Sequence, residues 1–162
     1  MSLLTYLGLA KEGQPLEVGA PAPDVPVHDE HGNQIKLSDF YRDGYTLIFF
    51  YPKANTSGCT KQACSLRDGL VDLKAHNVRV IGVSRDTTEA QLLFQQKNHL
   101  SYTLLADEDH AISNAFGVPL ILGMTARQSF LIHEGVIVWR DLDATTTTHA
   151  DDVLSAIRKL QG

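Results

Sequence analysis

Cysteine is scarce in this chain: two residues of 162, Cys59 and Cys64. Two cysteines cannot build the disulfide framework of a small secreted scaffold, and a C-x4-C spacing is neither the zinc pattern nor the C-x-x-C redox pair. Their use is expected to be redox-active in a reducing compartment, the cytoplasm, with no structural disulfide. Positive charge is also short, with 14 Lys and Arg against 19 Asp and Glu, a net charge of −5. No basic cluster occurs, so nucleic acid is not an expected partner. No apolar run approaches the roughly 18 residues of a membrane span, so no membrane association is expected. Residues 1–8 are apolar but lack a basic flank and a small-residue cleavage site, and they are not read as a signal peptide. The seven histidines show no H-x-x-x-H spacing and are read as surface or loop residues; no metal and no cofactor is expected. Hydrophobic residues make up 43% of the chain, enough for a core without staples. One domain over residues 16–162 is expected, preceded by an N-terminal extension over residues 1–15.

What is present is concentrated in one stretch, Phe50 to Cys64. It follows an apolar run, Tyr45 to Tyr51, whose near-continuous hydrophobicity marks a strand covered on both faces. It crosses a turn rich in Pro, Asn, Ser and Gly. It then enters a helical pattern, about Gly58 to about His76, with Ala63, Leu66, Leu70 and Leu73 on one face. Both cysteines lie at the mouth of that helix. The first-turn amides of a helix have no internal partners and present about half a positive charge. A thiolate placed there is favoured over a thiol.

The rest of the chain alternates. Val25–His28 and Gln34–Leu37 flank a turn and suggest a short hairpin, after which Ser38 is a candidate cap for a helical turn through Arg42. Val78–Val83 is a second buried strand. A helix starting at Thr87 or Thr88 follows, with Ala90, Leu93, Phe94 and the stem of Lys97 on its apolar side. Tyr102–Leu105 is a short strand, and Asp107 is a candidate cap for a helix carrying Ala111, Ile112, Ala115 and Phe116. Arg127–His133 and Val136–Arg140 read as a hairpin around Glu134-Gly135. A Thr-rich loop over Thr145–Thr148 leads to a last helix, about His149 to Leu160. Trp139 is expected in the core or at the domain surface. Strands alternating with helices, then a hairpin and a closing helix, give an α/β fold with a mixed central sheet flanked by helices. A thioredoxin-like arrangement fits that order.

The residues of the organising stretch resemble a known family. Pro52, Thr56 and Cys59 match the P-x-x-x-T-x-x-C signature of peroxiredoxins. Cys64 matches the resolving cysteine of the bacterioferritin comigratory protein (PrxQ) branch. Arg127, at the start of a late strand before Ser129-Phe130-Leu131-Ile132, sits where that family places its active-site arginine. Gly82-Val83-Ser84, the Thr103–Asp107 run, Phe116-Gly117-Val118 and His149-Ala150-Asp151 are also similar to that branch, so the resemblance spans roughly Val18 to Leu160. Two positions depart from it. Ser57 stands where Pro is common before the Gly-Cys, and Gln62 stands where Glu is common three positions after the reactive cysteine.

The resemblance implies a thiol-specific peroxidase acting on hydrogen peroxide and small organic hydroperoxides. Cys59 is the implied nucleophile, oxidised to a sulfenic acid. Cys64 is the implied resolving thiol, forming an intramolecular disulfide that thioredoxin or a similar dithiol reduces. Pro52 walls the thiol from water, Thr56 bonds the thiolate and the peroxide, and Arg127 points at the thiolate. Gly58 and Cys59 contribute amides toward the charge that moves along the S–O–O line. Each residue also has a plainer reading: Cys59 as a small buried hydrophobe, Cys64 as a surface thiol, Thr56 as a helix cap, Pro52 as a strand stop, and Arg127 as an edge-strand charge. Arg67 and Arg85 are equally well read as solvated charges. A monomer is expected, with a weak dimer as the alternative. A peroxide-sensing switch that signals through a Cys59–Cys64 disulfide is the rival function.

Overall fold

The computed structural model describes residues 13–162, so most of the expected extension lies outside the described residues. Leu16 is already held: its N–H donates to the Phe116 carbonyl at 3.0 Å, and Arg140 donates to the Pro15 and Leu16 carbonyls at 3.2 and 2.9 Å.

The strands that read as near-continuous apolar runs are the central ones. β3 (Tyr45–Phe50) lies between β4 (Val78–Ser84) and β8 (Gln128–His133), with β5 (Thr103–Ala106) and β9 (Val136–Asp141) at the edges of a five-stranded sheet ordered β5-β4-β3-β8-β9. β3, β4 and β5 run parallel, while β8 and β9 run antiparallel to their neighbours. Parallel neighbours need a crossover. Here α1 (Ser57–Asp68) and α2 (Leu70–Ala75) join β3 to β4, and α3 (Thr88–Lys97) joins β4 to β5. The period of two along β3 divides the core. Leu47, Phe49 and Tyr51 pack on one face with Leu66, Leu73, Phe94, Val153 and Ile157. Ile48 and Phe50 pack on the other with Val27, Leu37, Ile112, Phe116 and Phe130. That second face is covered by α4 (Ala111–Phe116), the ribbon of β1 (Pro26–His28) with β2 (Gln34–Lys36), and a 3₁₀ turn, Leu37–Tyr41. The closing helix α5 (His149–Gln161) lies on the first face. The expected α/β architecture with a mixed central sheet is the one observed.

Four local expectations are corrected. The helix expected to run to about His76 breaks at Gly69, where an added Cβ would sit 2.7 Å from the Cβ of Ala150; the glycine lets α5 approach. Ser38 does not cap its turn; it lies inside it, and its N–H donates to the Asp24 carboxylate. Leu93 is exposed, and the buried side of α3 instead uses Gln91 and Phe94. Gln91 is held there by polar bonds: it accepts from the Tyr51 hydroxyl and donates to the Leu105 carbonyl at 2.8 Å. Lastly, His149 is fully buried in the first turn of α5, so it is neither a surface nor a loop residue, while the partly exposed His133 lies within β8 and stacks on Tyr45. A small ribbon of β6 (Leu120–Ile121) with β7 (Met124–Thr125), turning through Leu122 and Gly123 at positive φ, had no counterpart in the sequence reading.

Other expectations hold. Thr87 caps α3 by accepting from the Ala90 N–H at 3.1 Å. Asp107 accepts from the Ile112 and Ser113 amides at 2.9 Å each, satisfying the first turn of α4 from the loop ahead of its first residue, Ala111. Burial raises the Asp107 carboxyl above its ordinary range, and these amide bonds oppose that shift. Among the described residues, no helix is long and apolar enough to cross a membrane.

Candidate active site

The site forms where β3 ends. In a parallel α/β sheet the carboxyl ends of the strands open onto the loops that precede the helices. After Phe50 the chain leaves the sheet through Tyr51 and Pro52, passes Asn55 at φ 62°, and enters α1 at Ser57. The loop is pinned at both flanks. The Asp86 carboxylate accepts from the Ala54 N–H at 2.8 Å and from the Ser84 hydroxyl at 2.6 Å. The Thr125 hydroxyl donates to the Tyr51 carbonyl at 2.8 Å. Neither Asp86 nor Thr125 was legible as a site residue, because each acts through a contact distant in sequence.

Cys59 stands in the first turn of α1, 1% exposed and packed among the core residues of the first face. The amide of Thr60 already bonds the Thr56 carbonyl, at 2.9 Å, so those of Ser57, Gly58 and Cys59 are the open ones. Thr56 is the N-cap residue by backbone geometry but makes no cap bond. Its hydroxyl donates to the Lys53 carbonyl at 2.7 Å instead. The expectation of Thr56 as a cap is thereby corrected. The consequence is that the first-turn amides stay uncapped, and the Thr56 hydroxyl, already donating, faces other groups as an acceptor.

Arg127 comes from 68 residues away, carried by sheet register. β8 runs antiparallel to β3 with Gln128 opposite Phe50, so the residue just before β8 arrives beside the end of β3. Its Nη2 donates to Cys59 Sγ at 3.4 Å, and its Nη1 donates to Gln62 Oε1 at 2.6 Å. Gln62 is fully buried, and its Nε2 has no partner among the described residues. The guanidinium thus bridges two residues of one α1 face, at helix positions i and i+3. An ideal Cβ on Gly58 would lie 3.1 Å from Arg127 Nη2, so glycine there leaves the guanidinium its place.

Cys64 is also on α1, free, and partly exposed. Its sulfur lies 3.9 Å from Asn98 Oδ1. Arg67 bonds the Asn98 carbonyl at 2.7 Å and pairs with Asp68, and Arg85 contacts the Gly123 carbonyl and His110. Neither reaches Cys59. The structure therefore brings Cys59, Thr56, Gly58 and Arg127 to one helix mouth, adds Gln62 to them, and sets Cys64 five residues on.

Residues 18–140 match the model of the AhpC/TSA family. The chain belongs to the AhpC/TSA family. Among its relatives within that family, Peroxiredoxin Bcp of Escherichia coli strain K12 is 41% identical over 153 residues, covering 90% of this chain and 97% of that protein. The crystal structure of peroxidoxin BcpB from Mycobacterium tuberculosis superposes with a TM-score of 0.83 at 29% identity, covering 90% of this chain and 99% of that one. The bacterioferritin comigratory protein of Xanthomonas campestris, solved as trapped intermediate and ligand complexes bearing on its alkyl peroxide reduction activity, gives a TM-score of 0.79 at 27% identity over 85% and 92% of the two chains. The resemblance read from Pro52, Thr56, Cys59 and Cys64 is borne out at the level of family and branch, and so is the thioredoxin-like fold.

Proposed function

We propose that the chain is a thiol peroxidase in which Cys59 is the nucleophile and Cys64 the resolving thiol. The observation that carries the reading is the contact of Arg127 with the Cys59 sulfur at the open N-terminus of α1. The Cys59 thiolate attacks the distal oxygen of a hydroperoxide, the O–O bond breaks, and the leaving oxygen departs as an alcohol or water after taking a proton. Cys59 is left as a sulfenic acid. Charge that begins on sulfur ends on the leaving oxygen, so donors along that line lower the barrier. Arg127 and the amides of Gly58 and Cys59 are the donors available. The Thr56 hydroxyl, already donating to Lys53, accepts the proton-bearing end of the peroxide. Pro52, half-buried at the end of β3, closes one side of the pocket against water.

The Cys64 thiolate then attacks the sulfenic sulfur, expelling hydroxide that leaves as water and forming the Cys59–Cys64 disulfide. A dithiol restores both thiols by exchange. Thioredoxin is the reductant we propose, hydrogen peroxide and small organic hydroperoxides the substrates, and a monomer in the cytoplasm the working state. Peroxide consumption coupled to thioredoxin, thioredoxin reductase and NADPH tests this. Continuous turnover in the parent and none in Cys59→Ser is the expected result. A single equivalent of oxidation without turnover would instead support the sensor reading.

A further inference from the structure

Where β9 ends and α5 begins, three side chains converge that the peroxide chemistry does not use. They are Asp141, the last residue of β9; His149, the first of α5; and Asp152, one turn further on. One carboxylate oxygen from each aspartate and one ring nitrogen of His149 all lie within 4.8 Å of one another. Local structure explains the convergence. Positions i and i+3 of a helix are neighbours, which sets Asp152 beside His149. Ser129 and Asp141 are cross-strand partners, so their side chains share a face, and the Ser129 hydroxyl bonds His149 Nε2 at 2.7 Å.

His149 is fully buried, yet among the described residues its Nδ1 has no hydrogen-bond partner. A buried polar atom left unpaired in a packed interior calls for an explanation. The two aspartates beside it are half-buried, and among the described residues no ion pair joins either to a histidine, lysine or arginine. Each has one oxygen occupied. Asp152 Oδ2 accepts from the Thr145 and Thr148 hydroxyls at 3.0 and 3.3 Å, and Asp141 Oδ1 accepts from the Asp143 N–H at 3.0 Å. The other oxygen of each has no hydrogen-bond donor among the described residues. The cluster therefore holds two negative charges, two carboxylate oxygens with no hydrogen bond and an imidazole whose Nδ1 is unpaired; the cation near enough to act on His149 is Arg127, which forms no ion pair with either aspartate among the described residues.

We propose that Asp141, His149 and Asp152 bind a divalent transition-metal ion. One imidazole nitrogen with two carboxylate oxygens is a donor set that Zn²⁺ and its neighbours in the first row accept, whereas Mg²⁺ and Ca²⁺ favour oxygen alone. Bonds of about 2.1 Å in a tetrahedral set put ligand atoms roughly 3.4 Å apart. Small rotations of the half-buried aspartates close the observed cluster to that size. The surroundings suit a ligand set as well. A metal-binding imidazole donates through its second nitrogen to a fixed acceptor, the place Ser129 fills, and Thr145 and Thr148 orient Asp152. Three protein ligands leave a coordination position for water.

Such an ion links the end of β9 to the start of α5 across residues 142–148. That loop touches the peroxidase site: the Ala144 N–H donates to the Arg127 carbonyl at 3.1 Å, and the Ser65 hydroxyl donates to the Thr147 carbonyl at 3.3 Å. The role is structural, bracing the backbone behind Arg127, and no reacting atom meets the ion.

The test uses the full, untagged chain carrying Cys59→Ser and Cys64→Ser, so that thiolates take no metal, after removal of adventitious ions. Calorimetric titration with Zn²⁺ should give one saturable equivalent. Co²⁺ should give a d–d spectrum perturbed from that of the aqueous ion. Asp141→Asn with Asp152→Asn should weaken binding by more than about tenfold, the loss that removal of even an outer partner of a metal site brings. Removing two like charges should leave the metal-free Asn variant melting no lower than its metal-free parent. Added Zn²⁺ should raise the melting temperature of the parent and leave that of the variant unchanged. These near-isosteric changes at half-buried positions keep the test valid should a His149 substitution fail to fold. No saturable uptake, or uptake equal in parent and Asn variant, would overturn the site.

Discussion

Arg127 and Cys59, 68 residues apart in the chain, meet at 3.4 Å between Nη2 and the thiol sulfur. The strand pairing of β3 with β8 fixes where Arg127 arrives, and Gln62 fixes how its guanidinium is turned. Arg127→Met should therefore slow the peroxide step by about 10²-fold, the usual effect of deleting one preorganised donor to a developing anion. It should also cost about 1–3 kcal/mol of stability, because the buried Gln62 carbonyl loses its donor. Stopped-flow oxidation and urea unfolding read the two effects separately, and an unchanged oxidation rate would remove Arg127 from the site.

Gly58 offers a sharper test because its two effects have opposite signs. Alanine at this first-turn helical position should stabilise α1 by up to about 1 kcal/mol through helix propensity. The new methyl would lie 3.1 Å from Arg127 Nη2 and press on the amino group that faces Cys59. Gly58→Ala should thus melt at or above the parent temperature while reacting with peroxide about tenfold more slowly, a partial form of the loss expected on removing the donor. A variant as fast as the parent would show that the guanidinium tolerates displacement.

Gln91 tests the polar core rather than the chemistry. It satisfies two buried groups, the Tyr51 hydroxyl and the Leu105 carbonyl. Burial holds the Tyr51 phenol far above its ordinary pKa, so it stays a neutral donor that needs an acceptor. Gln91→Leu keeps the volume but strands both partners, at a cost of about 1–3 kcal/mol each. Urea unfolding should show a loss of about 2–5 kcal/mol on that basis. A loss below about 1 kcal/mol would mean that water reaches these groups.

Much of this architecture was legible because the decisive signals are local. The apolar run at Tyr45–Tyr51, the Pro-Asn-Ser-Gly turn and the helical spacing of Ala63, Leu66, Leu70 and Leu73 together specify strand, loop and helix mouth. The misses share a cause, which is that a tertiary partner overrode a local pattern. Leu93 is a better core residue than Gln91 by composition, but only Gln91 can serve two buried polar groups 40 and 14 residues away. The helix expected to run to about His76 gave no sign of a break, because what Gly69 answers to is Ala150 of α5, distant in sequence. Gln62 was legible as a departure from the family pattern, not as the acceptor that turns Arg127. His149 carried little spacing signal: Asp152 shares its helix at i+3, but Ser129 and Asp141 come from two strands distant in sequence.

The last prediction concerns oxidation. Cys59 and Cys64 both lie within α1, where residues five apart have Cα atoms roughly 8–9 Å apart. A disulfide needs Cα atoms within about 7 Å. The bond cannot form while this stretch stays regular, so the first turns of α1 must unwind. Several contacts go with them. Unwinding releases Arg127 from Cys59 and Gln62, frees the Thr60 amide from Thr56, and lifts Cys59 out of the core face it shares with Leu66 and Phe94. It also removes the Ala63 carbonyl from the buried Tyr102 hydroxyl, which donates to it at 2.7 Å in the reduced protein. Ser57 and Gly58 make the start of the helix cheap to lose, since neither is a strong helix former. Hydrogen exchange should therefore show faster exchange for the amides of residues 60–67 in the oxidised protein. The near-ultraviolet signal of Tyr102 should change with it, and Tyr102→Phe should remove that part of the difference. Equal protection in the two redox states, with the intramolecular disulfide confirmed by mass, would mean that the cysteines join without unwinding α1, and the geometric argument would fail.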